Sequence, residues 1–552
     1  MGNKILFIGL DGVDFGLTEK LMQRGIMPNL ERLCKKGTYG KMLSRPPLQS
    51  SCTWTSFITG KNAGKHGIFG YFSYRSDSYE LKVLNSLDRR SDTLWHILNR
   101  CGKRVGILNL PCLFPPEKID GYMVCGMLAP SISSNFTYPK ELKAELLRSV
   151  KNYEIDIGMG MSSKDSKEML LKKTYEITQK RTDAAKFLLE KFPCDLNIVI
   201  FTETDHHLHF FLREMDGTSK YKDEVANYFR YLDAKIGELL DKVPEDTTVI
   251  VMSDHGMAPF RKVLYVNNLL REMGLIGEGR EAVGAAAAYS FTSMCFNFLV
   301  NLMLKLKLTP DTLKRFLPLW LFNRLNSILG KGKGFDWSRT RAFSTSIGDG
   351  IIINMKGRQP KGVVTQEEYE AIRNAIIKRI KEIKDPDSGE TIVAGIYKRE
   401  EVFLGEFVKN APDIILKLKE GYCTDSSTKI SGILKEENLL EPVTSDHTLN
   451  ALLVISGGSI KQGGLPDKVN ILDIAPTILN LMGVAVPPDL DGRVLSEVFS
   501  GKNEVPLMPN QQGEPGKPGK ESDEDDKDKL TPEEEAQVKL TLKKLGYLRN
   551  DD

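Results

Sequence analysis

Five short apolar runs decide what this chain can fold into. KILFIGL (residues 4–10), RVGILNL (104–110), LNIVIFT (196–202), TTVIVMS (247–253) and NALLVIS (450–456) are each nearly continuous in Ile, Val and Leu. A run of that length without polar alternation marks a strand buried on both faces of a sheet. Helical stretches lie between the runs. In 222–242, Val225, Phe229, Leu232, Ile236 and Leu239 recur at helical spacing. This alternation predicts an α/β fold: a doubly wound, mostly parallel sheet with helices on both faces. Ligands of such a sheet bind at the carboxyl ends of its strands.

At 552 residues the chain exceeds one ordinary domain. The pattern divides it into a first part of the α/β core at 1–275, a helical insertion or cap at 276–340 and a second part of the core at 341–502. No residue from Ala282 to Leu304 is charged, and the stretch on to Lys333 is basic and leucine-rich. The uncharged run has the length to cross a bilayer, but Gly284, Asn297 and Asn301 dilute it. A cap over the site is the favoured reading, with membrane-surface contact through 282–333 as the alternative. Residues 503–529 are Pro/Gly-rich and then heavily charged, which predicts a disordered linker. The final segment, 530–552, predicts a helix with Thr531 as N-cap, Pro532 first in the helix and Glu534 closing a capping box. Val538, Leu542 and Leu545 give that helix an apolar stripe for docking.

Lys and Arg number 76 against 73 Asp and Glu, a balance that leaves no reason to expect a nucleic-acid partner. The eight cysteines are scattered without a C-x-x-C pair, so neither a zinc ribbon nor a disulfide scaffold is expected. The opening MGNKILFIGLDG runs straight into a strand and has no leader-like order of basic, apolar and small residues. The expected location is therefore cytoplasmic, peripheral to a membrane if the insertion makes that contact.

The seven histidines point to the chemistry. IVIFTETDHHLH sets Asp205 and His209 four residues apart, on one face if a helix follows the strand. VIVMSDHGM puts Asp254 and His255 at a strand end, EPVTSDHTLN holds Asp446 and His447 before another strand, and Asp11 ends the first. Mixed Asp and His donors suit Zn²⁺ or Mn²⁺, and Asp11, Asp205, His209, Asp254, His255 and His447 are enough for two ions. Such a site calls for an oxygen nucleophile. SRPPLQSSCTWTSFITGKNAGKHGIF supplies Ser50, Ser51, Thr53, Thr55, Ser56 and Thr59 ahead of a Gly-rich turn. A helix beginning near Ser51–Thr53 would aim backbone N–H groups at an anion.

Taken together, LDG, PPLQSSCTWTSFITGKNAGKHGIF, TETDHHLH, SDHGM, SDHTLN and the closing DIAPTILNLMGVAVPPDLDGRVL resemble the type I phosphodiesterase/nucleotide pyrophosphatase family of the alkaline phosphatase superfamily. The resemblance spans residues 3–500 apart from 276–340, and it is nearest to the cytoplasmic bacterial and archaeal branch of phosphohydrolases and phosphomutases. It implies an alkaline-phosphatase-like fold and two zinc-type ions. One ion would be held by Asp205, His209 and His447, the other by Asp11, Ser50, Asp254 and His255. The family nucleophile stands ten residues before the Gly of a T-G-x-x-x-x-x-H-G-I pattern, and counting back from Gly60 gives Ser50. The spacing from Pro47 is one residue longer than usual, which keeps Ser51 as a rival.

The implied reaction is displacement at phosphorus through a phosphoseryl intermediate, with a small-molecule phosphoester as substrate. His66, Lys65 and the backbone near Ser51 are candidates to bind phosphoryl oxygens. Two other activities fit the same residues: a phosphomutase, and a membrane-surface hydrolase or transferase of phospho-headgroups. A sulfatase is disfavoured, because that branch requires C-x-P-S-R and here Cys52 is followed by Thr53, Trp54, Thr55 and Ser56.

Overall fold

The computed structural model describes residues 4–157, 165–278, 335–344, 350–428, 431–436, 443–501 and 530–544. All five apolar runs are strands of one nine-stranded sheet. In spatial order the strands are Gly463–Gly464, Gly37–Leu43, Asn450–Ser456, Thr248–Met252, Ile5–Leu10, Leu196–Phe201, Val105–Leu108, Gly121–Val124 and Thr137–Tyr138. The centre, from Thr248–Met252 to Gly121–Val124, is parallel. Every residue of Ile5–Leu10 and Leu196–Phe201 is buried, so these strands are covered on both faces. Part of the cover is the helix Glu224–Leu240, which buries Val225, Phe229, Leu232, Ile236 and Leu239, the stripe read from the sequence. Each such side chain contributes about 1.5–3 kcal/mol when fully buried.

Asn450–Ser456 runs antiparallel to both of its neighbours, Thr248–Met252 and Gly37–Leu43. Its beginning, not its end, therefore lies beside the carboxyl ends of the parallel strands. Gly37–Leu43 is in turn parallel with the centre and ends at that same edge. The direction of these two strands brings the segments just before Asn450 and just after Leu43 to the place where an α/β sheet binds its ligands.

A smaller unit is built between the long strand Gly256–Tyr265 and the return to the sheet. Strands Ala342–Ser344, Gly350–Ile353, Ile414–Leu418 and Val393–Lys398 form an antiparallel sheet in that order. The helix Gln366–Lys381 packs Ile372, Ile376 and Ile380 with Ile353, Ile414 and Leu416 into a second apolar core. Strand alternation turns Ile415 the other way, where it meets Cys52, Ala63 and Phe69 of the main unit. The terminal helix Pro532–Lys544 has its expected cap, the Thr531 N–H donating to Glu534 Oε2 (3.1 Å) and the Glu534 N–H to Thr531 Oγ1 (3.2 Å). It buries Val538 and Leu542. The expected linker at 503–529, and all of the expected insertion but its two ends, lie outside the described residues. Among the described residues no helix is long and apolar enough to cross a membrane.

Candidate active site

Asp11, the helix Glu203–Phe211 with Asp205 in its first turn, and the Asp254-His255 pair each follow the carboxyl end of a central strand, and His447 precedes the antiparallel one. Ser50 opens the helix Ser50–Thr59, seven residues beyond the strand Gly37–Leu43. The Ser50 hydroxyl lies 3.1 Å from Asp11 Oδ1 and 3.3 Å from His255 Nε2. One turn on, Thr53 Oγ1 donates to Asp254 Oδ2 at 2.6 Å, and Trp54 Nε1 donates to Asp11 Oδ2 at 2.9 Å. Positions i, i+3 and i+4 share a helix face, so one short helix carries the hydroxyl and pins two of the carboxylates beside it. Ser51 points elsewhere, and its hydroxyl lies beside the Cys112 thiol.

The candidate ligands gather into two adjoining groups, Asp205 with His209 and His447, and Asp11 with Asp205 and His255. Asp205 Oδ1 is 3.4 Å from the Nε2 atoms of both His209 and His447. His255 Nε2 is 3.6 Å from Asp11 Oδ1 and 3.4 Å from Asp254 Oδ2. The helix Glu203–Phe211 sets Asp205 and His209 at i and i+4, as expected. His447 arrives on the strand Ser445–Thr448, which pairs with Gly256–Tyr265 and places His447 opposite Met257.

The donor chemistry fits divalent cations. His209 Nδ1 meets the Ser445 carbonyl oxygen at 2.8 Å, and His255 Nδ1 meets that of Gly256 at 3.1 Å. A carbonyl partner holds the proton on Nδ1 and leaves the Nε2 lone pair for a metal. Burial lowers His209 and brings His255 down to about 4. Burial, then the Asp254 and Asp205 charges, pushes Asp11 well above the usual carboxylate range. The same burial would raise Asp205, but His209, His447 and His255 outweigh it and hold that carboxyl well below. Three carboxyl groups and three imidazoles converge here, a mixed oxygen and nitrogen donor set of the kind that divalent cations take.

Two expected substrate contacts are turned elsewhere. His66 Nε2 meets Ser56 Oγ at 3.0 Å and its Nδ1 accepts from the Ile68 N–H at 3.2 Å. Burial, then Arg89 and Lys61, brings it to about 3. Ser56 is about 9 Å along the helix from Ser50, so His66 serves the far end of that helix. Lys65 Nζ pairs with Asp491 Oδ1 at 2.5 Å and with the Asp489 carbonyl oxygen at 3.0 Å. His207 stacks on Tyr228 with ring centroids 4.3 Å apart, and the His206 ring comes 3.7 Å from Asp156. The roles of Thr53, Trp54 and Thr204 were not legible in the sequence. Thr204 Oγ1 donates to the Asp11 carbonyl oxygen at 2.5 Å. Their only signal was adjacency to the Ser50 and Asp205 motifs.

The sequence matches the type I phosphodiesterase / nucleotide pyrophosphatase family over residues 5–438. The chain belongs to that family. It is accordingly a phosphoric ester hydrolase. Phosphonoacetate hydrolase from Sinorhizobium meliloti 1021, solved with phosphonoformate, shares the fold with a TM-score of 0.52 and 16% identity, over 88% of this chain and 95% of that one. Human ectonucleotide pyrophosphatase / phosphodiesterase 5 aligns with a TM-score of 0.51 and 12% identity, over 90% of this chain and 100% of that one. No curated protein matches the sequence significantly.

Proposed function

We propose that this family member is a metal-dependent phosphohydrolase that cleaves phosphodiester or nucleotide pyrophosphate bonds through a phosphoseryl intermediate on Ser50. The observation that carries the reading is the Ser50 hydroxyl, 3.1 Å from Asp11 and 3.3 Å from His255 where the two candidate ligand groups adjoin. One cation would be held by Asp205, His209 and His447, and a second by Asp11, Asp254, His255 and Ser50, with Zn²⁺ or Mn²⁺ suited to those donors. Bound there, divalent cations supply Lewis acidity toward the serine hydroxyl, the phosphoryl oxygens and the leaving oxygen.

The residues of the chain do the rest. Asp11 and His255 orient the Ser50 oxygen toward phosphorus, and the N–H groups in the first turn of its helix face the non-bridging oxygens. Ser50 Oγ forms the bond to phosphorus as its proton passes by way of solvent to the leaving alcohol or phosphate, which departs with the bonding pair. Water then attacks the phosphoserine from the opposite side, restores the hydroxyl and releases the phosphoryl product. Thr53 and Trp54 keep Asp254 and Asp11 in place throughout.

The test is turnover of bis-p-nitrophenyl phosphate and p-nitrophenyl phosphate by wild type, Ser50→Ala and Ser51→Ala, each loaded with Zn²⁺ or Mn²⁺. Ser50→Ala is expected to lose at least about 1,000-fold in kcat, and Ser51→Ala less than about tenfold. The reverse order moves the nucleophile by one residue. Metal binding without cleavage of either ester by wild type rejects the hydrolase reading and turns the search to phosphoryl transfer between sugar hydroxyls.

A further inference from the structure

The smaller unit brings one lysine, Lys417, up to the candidate ligand His447. In its strand Ile414–Leu418 the residues Ile414, Leu416 and Leu418 face that unit's own core, so Ile415 and Lys417 face the main unit. Ile415 joins an apolar cluster with Cys52, on the helix that begins at Ser50. Two residues along, Lys417 lines a cleft with Pro46, Pro47, Leu48, Asp446 and His447. Pro46–Leu48 lead into Ser50, and His447 belongs to a candidate ligand group, so this cleft adjoins the candidate site at His447.

Lys417 is only partly buried, and its ammonium donates to the backbone carbonyl oxygen of His447. Among the described residues it meets no carboxylate. Lys61 and Lys65, by contrast, are each paired with an acid, Asp489 and Asp491. An ammonium has three N–H donors, and one carbonyl leaves two for an anion. Extending the phosphohydrolase reading above, on which this step rests, we infer that Lys417 reads a second negative charge on the substrate. The site then favours phosphates carrying two or more charges over singly charged diesters. The extra charge can sit on a terminal phosphomonoester or on the neighbouring phosphoryl group of a pyrophosphate, and both present the same oxygen acceptors to the ammonium.

The test is steady-state kinetics of the metal-loaded wild type, Lys417→Met and Lys417→Arg on three substrates. Bis-p-nitrophenyl phosphate carries one charge, p-nitrophenyl phosphate is a monoester with two, and ATP is a pyrophosphate with more. Lys417→Met is expected to raise KM for a multiply charged substrate about tenfold more than for the diester, with little of the difference in kcat. Lys417→Arg is expected to recover most of it. A rise confined to p-nitrophenyl phosphate identifies the monoester as the source of the charge, and one confined to ATP identifies the pyrophosphate. An equal effect on all three substrates overturns the inference. If wild type turns over none of them, the phosphohydrolase reading has failed separately. Lys417 is then judged by calorimetric binding of inorganic phosphate against dimethyl phosphate, and equal selectivity in wild type and Lys417→Met overturns it.

Discussion

Trp54 shows how a residue outside the candidate ligand set can bear on one within it. Its indole N–H is the donor to Asp11 Oδ2, and Asp11 is already pushed up by burial and by the neighbouring Asp254 and Asp205 charges. Trp54→Phe retains a large ring, packed edge-on against Phe7 and Phe57, and removes the donor. The Asp11 carboxylate is then short of one hydrogen bond in a buried setting, which costs about 1–3 kcal/mol. Its protonated form gains by comparison, and protons compete with metal for the oxygen. Trp54→Phe is therefore expected to weaken metal binding about 10–100-fold, as supporting partners of ligands do elsewhere. Calorimetric metal titration checks this. An affinity equal to that of wild type would reduce Trp54 to packing alone.

At the scale of elements, the turn after Ile5–Leu10 is as constrained as the strand itself. Gly12 has φ +74°, and a Cβ there would come 2.9 Å from Asp205 Oδ1. Gly25 offers a control with φ +66° and nothing within 4 Å. Alanine at either position costs about 1–2 kcal/mol of backbone strain. Only Gly12→Ala should also displace a candidate metal ligand. Comparable Tm losses with a metal affinity reduced in Gly12→Ala alone are expected, and equal affinities would show that Asp205 moves aside at little cost. The strands and the Asp205/His209 helix were legible in the sequence because burial on both faces and i, i+4 spacing are local patterns. The direction of Asn450–Ser456 was not legible, since an apolar run reads the same forwards and backwards. Gly37–Leu43 went unread because it is a strand near the sheet's edge with only Met42 as a large buried apolar side chain. Lys65 and His66 fit a phosphate motif by position, but their partners Asp491 and Ser56 are set by packing that spacing does not encode.

For the molecule as a whole, the terminal helix poses an energetic question that its contacts alone do not answer. Val538 and Leu542 enter a cluster with Phe72, Leu81, Val83 and Leu128, while Arg75 pairs with Glu535 at 2.7 Å. The cluster also contains Tyr71, whose N–H donates to Gln49 Oε1 (3.2 Å) next to Ser50, so the docked helix backs the wall behind the candidate nucleophile. Two buried side chains contribute about 3–6 kcal/mol together. Against this stands the entropy of closing the linker that the sequence predicts between Gly501 and Leu530, 28 residues and about 3 kcal/mol for a chain of that length. Docking is therefore marginal, and a substitution costing more than the difference releases the helix before it unfolds the core. Leu542→Ala removes about 2–5 kcal/mol at a buried site. The expected outcome is a variant whose main unfolding transition moves little while its tail is cut by protease much faster than in wild type. Loss of the full 2–5 kcal/mol from the main transition with a tail still protected would show that the helix unfolds only with the sheet, as a part of one cooperative core.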